Sequence, residues 1–192
     1  MSYHHGDLPR AAVERAYAIV TDRSHDDLSV RELADDLGVT PRAIYRHLGD
    51  RHGLLVEVAA RAFEELCDEV ERVLDASPED ARVATMSRYV AFAITSPTRY
   101  RLMFGLGDDA LRQPDALGEQ VRRLIKLTER AVATRAPELA GRARRDHIIG
   151  VWGLCHGLIE FYFGGTLRAA SPAQAERYVC GQMIRMIQDH DR

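Results

Sequence analysis

Apolar residues recur along this chain at the three- and four-residue spacing of an α-helix, not at the alternate positions of a strand. Breaks rich in Gly, Pro, Ser and Asp separate the helical segments. The pattern predicts an all-α protein of about nine helices, with a Gly-, Asp- and Pro-rich loop over residues 105–114. The expected helices cover roughly residues 8–20, 29–37, 40–48, 50–76, 79–95, 98–104, 115–136, 142–163 and 172–189.

The second and third helical segments carry unusually clear end signals. Ser29 and Glu32 form a capping box at the start of one helix, and Gly38 is a typical C-terminal stop. Thr40 followed by Pro41 then begins the next helix. Two short helices joined by a tight turn containing glycine predict a helix-turn-helix over residues 29–48.

The second helix of this motif has a buried face and a chemically distinctive outer face. A rotation of 100° per residue places Ile44 and Leu48 together toward the core. The opposite face then presents Arg42, Ala43, Tyr45 and Arg46. Arg side chains on such a helix can contact guanine in the major groove, and Tyr45 and the Thr40 hydroxyl can reach phosphate oxygens. A solvated helical subdomain remains the alternative interpretation of this geometry.

Charge limits how such a protein could bind DNA. The whole chain has a net charge of -3, and residues 1–66 contain 8 Arg and no Lys against 12 acidic residues. Nonspecific affinity for DNA is mostly electrostatic, so we expect it to be weak here. We also expect the acidic side chains to lie on faces away from the groove.

The segment SVRELADDLGVTPRAIYRHLGDRHGLLVEV, which begins at Ser29, resembles the TetR family of transcriptional regulators. Further along, Trp152, His156 and Gly157 resemble the Trp–His–Gly signature of one type of TetR regulatory domain. The resemblance implies an all-α homodimer with a DNA-binding domain at 1–66 and a regulatory and dimerisation domain at 67–192. It departs from the family where Arg51 replaces the usual Lys, which keeps a cation for phosphate, and where Leu48 replaces the common Phe. The expected DNA-facing residues are Ser29, Thr40, Arg42, Ala43, Tyr45, Arg46, His47 and Arg51, with His5 as a further phosphate-facing residue.

Glycine spacing in the eighth segment points to a close helix contact. Gly150, Gly153 and Gly157 form a smooth stripe that either permits packing within the chain or, as the resemblance favours, lies at a subunit interface. The last helix offers an apolar face that would complete this interface. The expected interface residues are Gly150, Gly153, Gly157, Val179, Met183 and Ile187.

Aromatic and Met side chains are concentrated in the second half of the chain. They could be plain core, or they could form an adaptable pocket for a small, largely apolar ligand. The candidate pocket residues are Tyr89, Phe92, Met103, Phe104, Trp152, His156 and Tyr162. No Lys or Arg interrupts residues 148–167, which makes a strongly anionic ligand a less favoured expectation.

Several other classes of site are not expected. Three widely spaced cysteines give neither a disulfide framework nor a metal-ligand cluster. His156 and Glu160 share a helix face without a nucleophile at a recognisable spacing, and no phosphate-binding loop is found, so we expect neither catalysis nor a cofactor. The absence of a signal peptide and of a membrane-spanning segment makes the cytoplasm the expected location.

These observations predict a dimeric regulator of transcription that binds double-stranded operator DNA. We expect a repressor released from its operator by a small apolar effector. A ligand-independent regulator or an activator of the same fold is the alternative. A helical enzyme is disfavoured by the missing catalytic constellation, and a protein-interaction module would not need exposed Arg42, Tyr45 and Arg46 on a short capped helix.

Overall fold

A computed structural model describes residues 8–76, 81–106 and 116–189, apart from the side chains of residues 135 and 187–189. Within these residues it contains α-helices and one 3-10 turn, His25–Asp27, and no strand, which confirms the all-α prediction. His5, the side chain of Ile187 and nearly all of the predicted loop over 105–114 lie outside the described residues. The helices are α1 (Leu8–Asp22), α2 (Val30–Leu37), α3 (Pro41–Leu48), α4 (Arg51–Ala76), α5 (Ala81–Thr95), α6 (Pro97–Gly105), α7 (Ala116–Arg135), α8 (Gly141–Phe163) and α9 (Pro172–Asp189).

The chain forms two compact units. The first unit comprises residues 1–65 and 98–122, and the second comprises residues 66–97 and 123–192. The domain boundary predicted at residue 66 does not by itself produce these two units. Helix α6 and the start of α7, which follow that boundary in the chain, belong to the first unit. Helices α4 and α7 each contribute residues to both units.

In the first unit, α1, α2 and α3 pack against one another around small and branched apolar side chains. Ala16, Leu33 and Ala34 are completely buried, and Ile44 is almost so. The small residues on α1 and α2 let these helices approach closely, and Ile44 then anchors α3 against them. This packing fixes which side of α3 remains exposed.

A polar network joins α6 to α1 and α4 within the same unit. The Tyr17 hydroxyl donates to Glu65, and Arg99 Nη1 lies 2.8 Å from Glu65 Oε1 and 2.5 Å from the Tyr17 hydroxyl. Burial, followed by the hydrogen bond to Glu65, raises the pKa of Tyr17 to about 12. Burial acts to raise the pKa of Glu65, but hydrogen bonds from Tyr17 and Arg99 outweigh it and hold that pKa below its usual value.

In the second unit, α5 packs against α8 and α9. The contact is apolar, and Val90, Cys155, Ile159, Val179 and Met183 are completely buried in it. A smaller cluster of Val132, Ala136 and Ile148 has Leu139 and Trp152 packed against it. Helices α5 and α8, together with α4 and α7, surround the cavity described below.

Candidate nucleic-acid interface and effector cavity

Side-chain caps set the start of both helices in the helix-turn-helix. Ser29 Oγ accepts from the Glu32 amide at 3.3 Å, and Thr40 Oγ1 accepts from the Ala43 amide at 3.3 Å. Gly38 ends α2 with φ of 66°, a left-handed conformation that glycine adopts without strain. The caps by Ser29 and Thr40 and the turn at Gly38 are therefore confirmed, and of the predicted capping box the Ser29 half is present.

Helix α3 presents its polar side chains outward. Ile44 is 1% exposed and faces the core, whereas Arg42, Arg46 and His47 are exposed and Tyr45 is 37% exposed. Arg46 Nη2 lies 3.3 Å from His47 Nε2, so these two neighbouring side chains contact each other. Ala43 is half-buried beside them. The arrangement offers guanidinium, phenol and imidazole groups from a single helix with no acidic residue on it.

The start of α4 lies very close to the end of α3. Asp50 Oδ1 accepts from the Gly53 amide at 2.8 Å and caps the helix. A Cβ atom added to Gly53 would lie only 2.1 Å from the Leu48 carbonyl oxygen. Glycine at position 53 therefore permits an approach that sets the position of the last turn of α3, a role that sequence patterns did not indicate.

Arg51 has a structural role here that differs from the predicted phosphate contact. Its Nη2 lies 2.6 Å from the His25 carbonyl oxygen and 3.4 Å from that of Asp26, and its Nε lies 3.4 Å from the Leu28 carbonyl oxygen. The half-buried guanidinium thus binds the end of the 3-10 turn that precedes α2. These bonds give Arg51 a structural role in the first unit, and its predicted phosphate contact stays a prediction.

Several acidic side chains of the first unit are paired with cations on neighbouring helices. Asp36 Oδ2 lies 2.6 Å from Arg15 Nη2, and Glu14 Oε1 lies 3.1 Å from Arg61 Nε. Glu65 is bound by Arg99, as described above. These pairs are local and partly exposed, so each contributes little stability. They do offset part of the acidic charge that the sequence places around the predicted DNA-binding helix.

The second unit contains a cavity between α4, α5, α7 and α8. Its free volume is about 30 Å³, which is room for roughly one water molecule. Its apolar lining consists of Val70, Met86, Leu124, Val132, Ile148, Val151 and Trp152. Its polar lining consists of Arg82, Thr85, Tyr89, Thr128 and His147. A larger ligand would enter only if side chains or helices moved apart.

Four of the five polar lining residues are buried, among them Tyr89, which is 7% exposed. Thr85, Thr128 and His147 are 7%, 8% and 9% exposed. Thr128 Oγ1 donates to the Leu124 carbonyl oxygen at 3.0 Å, whereas Thr85 Oγ1 has no hydrogen-bond partner. A buried hydroxyl without a partner costs free energy unless a ligand or water satisfies it.

The predicted pocket residues divide into those at the cavity and those elsewhere. Tyr89 and Trp152 line it. His156 does not line it but lies directly behind Tyr89, with 2.9 Å between the Tyr89 hydroxyl and His156 Nε2. Burial lowers the pKa of His156, which favours the neutral ring. His156 therefore positions a lining residue.

The other four predicted pocket residues do not line this cavity. Met103 and Phe104 belong to the first unit, where the Phe104 ring lies 5.5 Å from the Phe63 ring. Phe92 is buried in α5 and does not line the cavity. Tyr162 packs beside Phe163 at the end of α8, roughly 15 Å along the helix from Trp152.

Helices α8 and α9 leave an apolar surface uncovered in the single chain. Ile149 and Phe161 are 67% and 55% exposed, and Leu154 and Tyr178 are exposed as well. A Cβ atom added to Gly153 or to Gly157 would meet nothing within 4 Å, and one added to Gly150 would meet only Met186 Cε at 3.9 Å. The glycine stripe is therefore not needed for packing within the subunit.

Two predicted interface residues on α9 are corrected. Val179 and Met183 are completely buried within the second unit, so neither presents a surface to another chain. The uncovered face of α9 instead carries Tyr178 and Arg185, with Gly181 and Gln182 half-buried between them. The apolar pattern of α9 marked its core side, and that side already packs against α5 and α8.

The sequence contains a weak indication of the cavity residues that the aromatic and Met pattern did not predict. Leu124, Thr128 and Val132 follow each other at four-residue spacing on α7, as do Thr85 and Tyr89 on α5. A Thr within an otherwise apolar helix face is the one feature that could have indicated a polar cavity wall. The predicted pocket instead rested on aromatic and Met side chains, which include Met103 and Phe104 on α6.

A family model described as "Tetracyclin repressor-like, C-terminal domain" matches residues 82–183, more than half of the chain. The chain belongs to the TetR family. Its members are transcriptional regulators that bind operator DNA and are typically dimeric, which agrees with the expectation of a regulator in place of an enzyme. The match includes the residues of α5, α7 and α8 that line the cavity.

Curated relatives of this TetR-family protein carry names of the same kind. The HTH-type transcriptional regulators Rv1816 of Mycobacterium tuberculosis and Mb1846 of Mycobacterium bovis are each 32% identical to it over 97 residues. The aligned part covers 48% of this chain and 42% of each relative. The chain thus matches less than half the length of these relatives.

Solved structures share the fold over almost the whole chain. A protein of unknown function from Rhodococcus sp. RHA1 is 27% identical, with a TM-score of 0.71 and coverage of 96% of this chain and 97% of that one. A structure described as a TetR-family regulator from Mesorhizobium loti is 20% identical, with a TM-score of 0.65 and coverage of 97% and 98%. Among the residues that the structure describes, no helix is long and apolar enough to cross a membrane.

Proposed function

We propose that this TetR-family protein is a homodimeric transcriptional repressor that leaves its operator when a small effector enters the cavity of the second unit. The observation that carries the proposal is α3, a short capped helix with a buried apolar face and exposed Arg42, Tyr45, Arg46 and His47. The curated relatives, named HTH-type transcriptional regulators, support the same function. Operator binding would place its action in the cytoplasm.

Each residue of the α3 surface has a proposed role on DNA. Arg42 and Arg46 are exposed and would bind base edges, where a guanidinium can make two hydrogen bonds to guanine. Tyr45 and Thr40 would bind phosphates and set the position of the helix on the backbone. Ser29 caps the start of α2, and Ala43 lies within α3. Both would contact the DNA at the edge of this surface. His47 would act together with Arg46, which it contacts.

The uncovered face of α8 and α9 is the proposed dimer interface. Ile149, Leu154 and Phe161 would supply apolar area, and Gly150, Gly153 and Gly157 would let the partner helix approach closely. On α9, Tyr178 and Gly181 replace the buried Val179 and Met183 of the original expectation. An apolar groove lined partly by Leu139, Gly150 and Met186 continues this face. Burying a side chain as large as Phe161 contributes about 2 kcal/mol, so a few such residues can hold two subunits together.

Two residues of the Trp–His–Gly signature, Trp152 and His156, lie one turn apart on the same side of α8, whereas Gly157 lies on another side. Trp152 lines the cavity, His156 supports Tyr89, and Gly157 lies toward the uncovered face. A single helix would therefore connect the effector site with the dimer interface. We propose that the regulatory domain is of the Trp–His–Gly type, because Trp152, His156 and Gly157 resemble that signature.

Effector binding would act by changing the populations of two conformations. The cavity is nearly filled in the conformation described here, so a ligand can bind only to a more open one. A ligand that binds the open form better shifts the protein toward it. Linkage then requires that the same ligand bind the free protein more tightly than the DNA complex.

Selection of bound fragments from the genomic DNA of the source organism tests the proposed function. The wild-type protein should enrich a small set of fragments that share a palindromic sequence, because a two-fold dimer reads two half-sites. A double variant, Arg42→Ala with Arg46→Ala, provides the background and should enrich nothing. Equal enrichment by both proteins would contradict the proposal that α3 reads DNA.

Light scattering tests the proposed dimer. The wild-type protein should have twice the 21.6 kDa mass of one chain at micromolar concentration. Gly153→Leu should produce a folded monomer, because open space surrounds this position within the subunit. Gly153→Ala is the matched control and should remain largely dimeric. A dimeric Gly153→Leu protein would place the interface elsewhere.

A further inference from the structure

The charge of the cavity lining restricts the ligands that can bind there. Arg82 is the one residue with a permanent charge among the twelve that line the cavity, and no Asp or Glu is among them. A cationic ligand would meet a like charge and no carboxylate, which is unfavourable at a buried site. The cavity therefore selects against cations and favours neutral or anionic molecules.

The Thr85 hydroxyl is the group in the cavity lining that most directly indicates a place for a ligand atom. Its side-chain oxygen is buried, lines the cavity and has no hydrogen-bond partner in the structure. A ligand acceptor placed against this hydroxyl would satisfy it. Thr128, whose hydroxyl already donates to the Leu124 carbonyl oxygen, does not have the same need.

Arg82 brings a charge to the cavity that the sequence pattern of α8 did not reveal. A guanidinium has five N–H donors, so it can hold a ligand carboxylate alongside other partners. Its planar fork matches the two oxygens of a carboxylate. The earlier preference against an anion rested on residues 148–167 alone, whereas this charge comes from α5.

The register of α5 and α8 places Arg82 and His147 toward the same end of the cavity. Tyr89 and His156 are in contact, and the other lining residues of α5 and α8 precede them on both helices. Arg82 lies about two turns before Tyr89, and His147 lies about two and a half turns before His156. Thr85 lies one turn from Arg82 on the same helix. One end of the cavity thus combines three hydrogen-bonding side chains, and the rest is mostly apolar, with Tyr89 and Thr128 as its other polar residues.

We propose that the effector is a monocarboxylic acid with an apolar tail. Its carboxylate binds Arg82, Thr85 and His147, and its tail lies against Met86, Val151 and Trp152. This inference rests on the proposed role of the cavity as the effector site. It adds to that role the chemical class of the ligand.

Titration with molecules that share a tail and differ only in the head group tests the inference. The probes are 4-phenylbutanoate, 4-phenylbutanamide and 4-phenylbutylamine, with octanoate and octanamide as a second pair. Trp152 is the single tryptophan, so its emission, excited at 295 nm, reports binding without a label. Operator binding is measured in the same samples, first without any probe.

With wild-type protein, each acid should bind at least tenfold more tightly than its amide, and the amine should not bind. Arg82→Gln should lower the affinity for the acids by about tenfold to a hundredfold and leave the amides almost unchanged. Thr85→Val, which keeps the shape and removes the hydroxyl, should weaken the acids by about fivefold to tenfold. Circular dichroism confirms that both variants are folded.

Equal affinity for acids and amides, or an acid preference that survives in Arg82→Gln, would overturn the inference. So would the absence of any change in Trp152 emission with every probe. If amides and acids both bound equally and released the operator, the proposed effector site would stand and only the ligand class would fail. If the wild-type protein did not bind the operator in the absence of any probe, the proposed function as a DNA-binding regulator would itself be contradicted.

Discussion

In the first unit the partly buried side chains of Tyr17, Glu65 and Arg99 bind one another, whereas in the second unit the buried Thr85 hydroxyl has no partner. The first arrangement fixes α1, α4 and α6 relative to each other. The second leaves a polar group at the wall of a nearly filled cavity. The contrast separates two uses of a buried polar side chain, one that stabilises a unit and one that costs stability until a ligand binds.

The largest change in stability should come from breaking the network of the first unit. Arg99→Ala removes the cation that binds both Glu65 and Tyr17, and we expect a loss of about 3 kcal/mol in the free energy of unfolding. Urea denaturation followed by circular dichroism measures it. Arg15→Ala is the matched control, since it breaks an exposed ion pair with Asp36 and should cost less than about 1 kcal/mol. Equal losses in the two variants would contradict the structural importance of the network.

The same network should make the protein sensitive to alkaline pH. The pKa of Tyr17 is raised in the folded state from 10.0 to about 12, so the stability it contributes is complete below pH 10 and is lost as pH rises toward 12. The loss should amount to about 2 kcal/mol at most. Thermal unfolding of the wild-type protein and of Tyr17→Phe across this range measures the difference. A wild-type curve as flat as that of Tyr17→Phe would show that Tyr17 ionises as freely in the folded state as in the unfolded one.

Gly53 tests how closely α4 must approach α3. Gly53→Ala places a Cβ atom against the Leu48 carbonyl oxygen, so the last turn of α3 must shift. We expect a loss of about 1–2 kcal/mol in stability and a weaker operator complex. Gly38→Asn is a useful comparison, because Gly38 ends α2 in the turn before α3, at a position where only the left-handed conformation is demanded. Unchanged stability and unchanged operator binding in Gly53→Ala would show that the approach can relax.

The smallest predicted change has the opposite sign. Thr85→Val removes a buried hydroxyl that has no partner, and we expect the unliganded protein to become more stable by about 1 kcal/mol. Differential scanning calorimetry measures the shift. Thr128→Val is the matched control, because it removes a hydroxyl that donates to a backbone carbonyl, and it should not stabilise the protein to the same extent. Destabilisation by Thr85→Val would mean that the hydroxyl is already satisfied in solution.

The two functional regions also differ in how well their residues could be predicted from sequence. Ser29, Gly38 and Thr40 determine the helix-turn-helix through contacts within a few residues, so local patterns were sufficient to predict it. The cavity brings together Thr85 and His147, which are far apart in the chain, and no local pattern indicates that they meet. Arg51 was predicted as a DNA contact because a cation is typical there, and no local pattern indicated that its half-buried guanidinium binds backbone carbonyls.

The same limit explains the errors on the surfaces of α8 and α9. An apolar residue that faces the core and one that faces a second chain have the same spacing, so Val179 and Met183 were assigned to the interface although they are buried. Glycines were more informative. The stripe through Gly153 and Gly157 has open space around it, which a residue needed for internal packing would not have.

The most direct test of the central claim, that α3 reads operator DNA, is a measurement of operator affinity for Arg46→Ala beside Tyr45→Phe. Competition with base-substituted operators should show that Arg46→Ala loses about 1–3 kcal/mol and relaxes the preference at one base pair in each half-site. Tyr45→Phe should weaken binding to all sequences alike, because a lost phosphate contact carries no sequence information. Operator affinity and base preference that are unchanged in Arg46→Ala would contradict the account.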